Sequence, residues 1–203
     1  MTGKIKLNAT SGGGSVSFQA PSSTGDDRVI TLPTTADGTV LTTTNPKAGN
    51  ILQVVSTTKT DTFTTTSTSA TDITGLSVSI TPTSSSNKVL VSYNISGSVE
   101  DSEYRAGIIL VRDSTEIYIG DAASNRIRMS SFLMHHTNHN YEMFDVSGTH
   151  LDSPSSTSAV TYKIQAKMLD SGRQVNINRS YGDADLDTRP RTASSITVME
   201  VAG

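Results

Sequence analysis

The stretch richest in groups able to do chemistry is NINRSYGDADLDTRPR, residues 176–191. It sets Asn178, Tyr181, Asp183, Asp185 and Arg189 close together. A second stretch, EDSEYR (residues 100–105), brings Glu100, Glu103, Tyr104 and Arg105. An aromatic ring covers the apolar face of a sugar, and carboxylates and guanidinium groups make strong hydrogen bonds to hydroxyls or to a ligand carboxylate. Both stretches are therefore candidate recognition loops, with Tyr181 as the stacking surface and Asp183, Asp185 and Arg189 as its polar partners. Tyr104 and Arg105 are the alternative pair. The alternating Asp183, Asp185 and Asp187 offer oxygens to a calcium ion but lack the central Gly and distal Glu of an EF-hand loop, so a solvated loop is expected. His135, His136 and His139 carry imidazole nitrogens of the kind metals take, yet they follow Met134 in a polar run that also reads as solvated loop. No metal or other cofactor is expected.

Catalysis has no visible apparatus. Serines are abundant, but no G-x-S-x-G elbow is present to strain one into a nucleophile. The SGGGS run (residues 11–15) lacks the lysine of a phosphate loop and reads as a turn. A non-enzymatic protein is expected.

The elements that must position these loops are strands. Val160, Tyr162, Ile164, Ala166 and Met168 are apolar at every second residue, with Thr, Lys, Gln and Lys between them. That is the signature of a strand with one face in a core and one in water. Further strand candidates recur every 10 to 15 residues, at 51–55, 76–80, 88–99, 106–112, 116–120, 126–134, 141–148, 159–168, 174–180 and 194–201. The Thr-rich run 56–72 reads as an edge or loop, and RDSTE (112–116) as a hairpin turn. No window carries a helical stripe. Many short strands at even spacing predict an all-β protein, an antiparallel β-sandwich of jelly-roll type over residues 46–203. Val160, Ile164 and Val198 are expected in its core.

Residues 1–45 are thinner. Pairs of apolar residues (Ile5 and Leu7, Val16 and Phe18, Ile30 and Leu32) alternate between turns rich in Gly, Pro and Asp. Two-residue stripes build no independent core, so this segment is expected to be a β-rich stalk that orders on association. TTTNPKAGN (42–50) reads as the linker.

Composition narrows the class further. Serine and threonine supply 60 of the 203 residues, hydrophobic residues only 34%, and tryptophan is absent. A chain this polar buries little apolar area alone, while ordering costs roughly 1–2 kcal/mol per residue. Association with copies of itself is the expected remedy. The net charge of −3 gives no basic footprint for nucleic acid. No apolar run approaches the ~18 residues of a membrane span, no signal-peptide core follows Met1, and the lack of cysteine excludes disulfides.

Six ordered blocks carry a resemblance: residues 3–23, 31–55, 71–97, 110–123, 151–165 and 193–202. Together they resemble tail-fibre-like virion proteins of tailed phages that infect cyanobacteria. The resemblance implies a homotrimeric structural protein of the virion, made in the host cytoplasm. It further implies that an N-terminal shaft docks onto other tail proteins and that a C-terminal head adheres to a host glycan or surface protein. SVEDSEYRAG, MHHTNHNYEM and SYGDADLDTRPR depart from any fixed pattern and are where individual specificity is expected. Two other roles fit the composition. One is a purely structural adaptor or capsid decoration that never meets a receptor. The other is a fibre-borne enzyme degrading polysaccharide, which needs a carboxylate pair about 5–10 Å apart.

Overall fold

The computed structural model describes residues 4–8, 15–19, 46–100, 103–134 and 139–203, the first two ranges as backbone strands. The chain divides into two units, Met1–Val40 and Leu41–Gly203. In the first, β1 (Lys4–Asn8) and β2 (Ser15–Gln19) pair antiparallel. Their register sets Ile5 opposite Phe18 and Leu7 opposite Val16. The strand and turns expected between residues 20 and 45 lie outside the described residues, as do His135 and His136.

The second unit is all-β. Its strands are β3 (Ile51–Lys59), β4 (Phe63–Thr65), β5 (Thr71–Ile80), β6 (Lys88–Val99), β7 (Arg105–Arg112), β8 (Thr115–Ile117), β9 (Ser131–Met134), β10 (Phe144–Asp152), β11 (Val160–Met168), β12 (Val175–Ile177) and β13 (Ser194–Val201). One sheet joins β3, β13, β6, β12 and β4 in that order, with β10 on the other edge of β6. The second joins β5, β11, β7 and β8, with β9 also on β7. Every pairing is antiparallel. The long strands pair in nested fashion: β3 with β13, β5 with β11, β6 with β10, and β7 with β8 and β9. That order is what one long hairpin gives when it is rolled up.

The two sheets share one core. Val89, Val91, Tyr93, Ile95, Ile196 and Val198 from the first meet Leu76, Val78, Ile108, Leu110, Tyr162 and Ile164 from the second. Alternation decides which residues enter it: β11 and β13 bury every second side chain along their whole length. Val160, Ile164 and Val198 are buried as expected.

Several strand boundaries differ from the sequence expectation. Of residues 126–134 only Ser131–Met134 is strand; ahead of it Met129 packs beside Gly107 of β7 and Arg128 Nε donates to the Gly120 carbonyl. β10 runs three to four residues later than expected and includes the polar THLD, held by the β6 ladder rather than by its own pattern. The Thr-rich 56–72 run continues β3 and holds β4.

Two buried carboxylates of the core are satisfied by neighbours. Glu200 is fully buried and accepts from Gln53 Nε2 at 2.6 Å, the Thr83 amide at 2.6 Å, Thr83 Oγ1 at 2.8 Å and Asn87 Nδ2 at 2.5 Å. Burial pushes the Glu200 carboxyl up, and the donors from Asn87, Gln53 and Thr83 together pull it below its ordinary value. Asp152 of β10 clips the sheets together: it accepts from Tyr162 Oη at 2.7 Å and from Arg112 Nη1 at 2.9 Å. Desolvation first, then the Asp152 hydrogen bond, raises the Tyr162 phenol far above its ordinary range. Gly148 is required by contact, because a Cβ there would lie 2.5 Å from the Tyr93 ring.

Candidate functional site

β6 ends and β7 begins at one end of the second unit, where β11 also ends and β10 begins. The β6–β7 connection and the β11–β12 turn therefore meet there, together with residues 139–143. Loop 178–193 leaves β12 and returns to β13, and it too reaches this end, since the Gly182 amide donates to the Asn140 carbonyl at 2.6 Å.

The root of that loop is Asn178, which is fully buried and left-handed, with φ of 61°. Asn tolerates this conformation better than most residues. Its Nδ2 donates to the Lys59 and Asp61 carbonyls at 2.8 and 2.9 Å, and its Oδ1 accepts from Ser194 Oγ at 2.6 Å. The side chain thus stands in for ladder bonds where the β3–β13 and β4–β12 pairings break. The Asn178 amide is committed to holding the loop.

Tyr181 is half-buried. Burial, then the charge and hydrogen bond of Glu100, push its phenol up. Glu100 also pairs with Arg173 at 3.0 Å, and the Arg173 guanidinium carbon lies 4.2 Å from the Tyr104 ring centroid. The two stretches singled out in the sequence are thus joined by the contact of Glu100 with Tyr181, while Arg173 bridges Glu100 and Tyr104 within the second. Tyr104 packs partly against the core with one ring face covered by Arg173. Arg105 is half-exposed and lies 3.8 Å from Asp170.

Asp183 sits between two guanidinium groups, paired with Arg179 Nη1 at 3.0 Å and hydrogen-bonded by Arg191. The Arg191 hydrogen bond leads in holding its carboxyl below the usual range. Asp185 and Asp187 are exposed. Arg189 lies over the Tyr141 ring at 5.3 Å, and its Nε and Nη1 are buried without a hydrogen-bond partner. Among the described residues, no three His, Asp or Glu side chains gather as metal ligands.

Arg173, Arg179, Arg191 and Tyr141 join the site without having been singled out. Arg179 and Arg191 lay inside the marked stretch, where their number gave no means of ranking them. Arg173 sits in the SGRQ turn after β11, whose sequence carries no sign that it folds over Tyr104.

The arrangement is a polar, charge-paired surface with three tyrosines and five arginines, suited to hydrogen-bonding a polyhydroxylated or anionic partner. The chain matches no protein-family model and no curated protein sequence. Among solved structures it is similar to a chain of the infectious bursal disease virus Gx strain, with 12% identity and a TM-score of 0.33. That match covers 93% of this chain, which spans 47% of the viral one. It is also similar to a chain of the baseplate tripod of bacteriophage Tuc2009, with 13% identity, a TM-score of 0.20, and coverage of 91% of this chain and 84% of that one.

Proposed function

We propose that this chain is a non-enzymatic structural protein of a phage virion: a trimeric tail fibre, or its distal module, that adheres to a host surface glycan. In this reading residues 1–45 dock onto other tail proteins, and residues 46–203 form a jelly-roll head. The observation that carries the adhesive role is the convergence of the two stretches where Glu100 meets Tyr181. The nested strand order supports the jelly roll, an architecture that builds both capsid and lectin domains. The carboxylates support binding over glycoside hydrolysis. A general acid needs a raised pKa, whereas Asp183 is held low and Glu100 is paired with Arg173.

One observation favours a purely structural adaptor or decoration: Asp183 and one face of Tyr104 already have internal partners. Adsorption of the purified protein to host cells separates the two readings. Tyr181→Ala and Arg189→Ala are expected to weaken adsorption roughly tenfold or more, as loss of a contact worth about 1.4 kcal/mol does, with the melting transition retained. Unchanged adsorption moves the site elsewhere. Wild-type protein that never adsorbs leaves the adaptor.

A further inference from the structure

The outward faces of the two sheets differ in charge. On the second sheet, β11 presents Thr161, Lys163, Gln165 and Lys167, and the neighbouring Asp72 accepts from Lys163 at 2.8 Å and from Gln165 at 2.6 Å. Such a face is dressed for water. On the first sheet the register lines up three complete cross-strand rows over β3, β13, β6 and β10. Thr58, Ser195, Asn94 and Ser147 form one row, and Ser56, Thr197, Ser92 and Thr149 the next. The third is Val54, Met199, Leu90 and Leu151. None of these twelve positions is charged, in a chain that carries 16 basic and 19 acidic residues.

The third row is apolar from edge to edge. Val54 is 55% exposed and Leu151 46% exposed. Ile51 and Val201 extend it at the start of β3, before Lys88 closes the next row. A continuous apolar row beside uncharged hydroxyl rows is unusual for a face that meets only solvent.

We infer that this face of the first sheet is the surface through which copies of this chain associate. The inference rests on the oligomeric reading above and names the residues that serve it. The partner is a second copy because the face suits itself. With no charged group in the three rows, copies of this face gather about a common axis without like-charge repulsion. Serine and threonine hydroxyls both donate and accept, so identical rows satisfy one another. The apolar row supplies the burial that the polar composition otherwise lacks. Charge enters this face only beyond the three rows, at Lys88 and at Asp145 opposite Ser96, so a partner recognised by charge finds little along them. The opposite face, with its lysines, faces outward in the assembly.

The natural absence of cysteine gives a direct test. In the full-length protein, maleimide labelling of the Leu151→Cys variant is compared with that of Ser79→Cys, which lies on the outward face of the second sheet beside Thr161. Assembly through the first face slows labelling of Leu151→Cys roughly tenfold or more relative to Ser79→Cys, a factor equal to an opening cost of about 1.4 kcal/mol or more. Val54→Lys combined with Leu151→Lys is expected to reduce the light-scattering mass to that of one chain, with the β circular dichroism kept. If the double variant fails to fold, the two cysteine variants still decide. A wild-type trimer with Leu151→Cys freely labelled overturns the inference and leaves the trimer standing. A wild-type dimer with that site protected supports the inference and removes the three-fold reading. A wild-type monomer at tens of micromolar, well above the range of a stable assembly, overturns both.

Discussion

Glu200 is a buried carboxylate held by neutral donors, from Gln53 on β3 and from Thr83 and Asn87 in the β5–β6 connection. Replacing it with Ala strands those donors, each of which costs roughly 1–3 kcal/mol when left unsatisfied. Glu200→Ala is therefore expected to lower thermal stability by at least about 2 kcal/mol, read by calorimetry or chemical denaturation. Its pH dependence has a definite sign. The folded carboxyl lies below its ordinary value, so its contribution is present above the usual glutamate range and is lost as pH falls through the folded pKa. Glu200→Gln should flatten the acid limb of the stability curve, and an unchanged limb would assign that limb to other carboxylates. Tyr162 works in the opposite direction. Its raised phenol gives stability fully present below about pH 10 that declines as pH rises and unfolded tyrosine ionises. Tyr162→Phe should shallow the alkaline limb. Gly148→Ala forces a Cβ into the Tyr93 ring and is expected to cost about 1–3 kcal/mol, with Tyr93→Phe giving little relief because the ring carbons themselves clash.

At the scale of elements, strand alternation and loop anchoring behave independently. Ile164 is fully buried in the middle of β11, so Ile164→Asp places an unpaired charge in the core and should abolish folding. A soluble Ile164→Asp protein with a normal melting transition would show that the faces of β11 are reversed. Loop 178–193 depends on Asn178, whose side chain bridges the break between two strand pairings. Asn178→Ala leaves two carbonyls and the Ser194 hydroxyl short of partners. Loss of stability should appear together with faster amide exchange across residues 179–193, with the β11 amides still protected. Uniform acceleration in all strands would mean that the loop root and the core open as one unit.

For the whole molecule, the proposed assembly and the proposed adhesion make separable demands. Deleting residues 1–45 removes β1 and β2 and leaves every strand of the two core-forming sheets. The remaining chain is expected to fold, with a β circular dichroism spectrum and one cooperative transition. An unfolded fragment would make the first unit a folding partner rather than a stalk. Host adsorption by several copies gains from effective concentration, so weak single sites suffice on a particle. Adsorption should accordingly fall far more steeply for a dissociated variant than for one altered at a single loop residue.

The period-two pattern of β11 and β13 made the all-β class, the strand faces and the core residues Val160, Ile164 and Val198 legible in the sequence, because burial of alternate side chains is a local property. Both candidate stretches stood out in the sequence as concentrations of Tyr, Asp, Glu and Arg. Their joining did not. Glu100 of one meets Tyr181 of the other, and Arg173 from outside both pairs with Glu100, because the strand ladders fix which loop ends lie side by side. The same holds for Val54, Leu90, Leu151 and Met199. Each is an ordinary strand residue in its own segment, and only the pairing register of four strands sets them in one exposed apolar row.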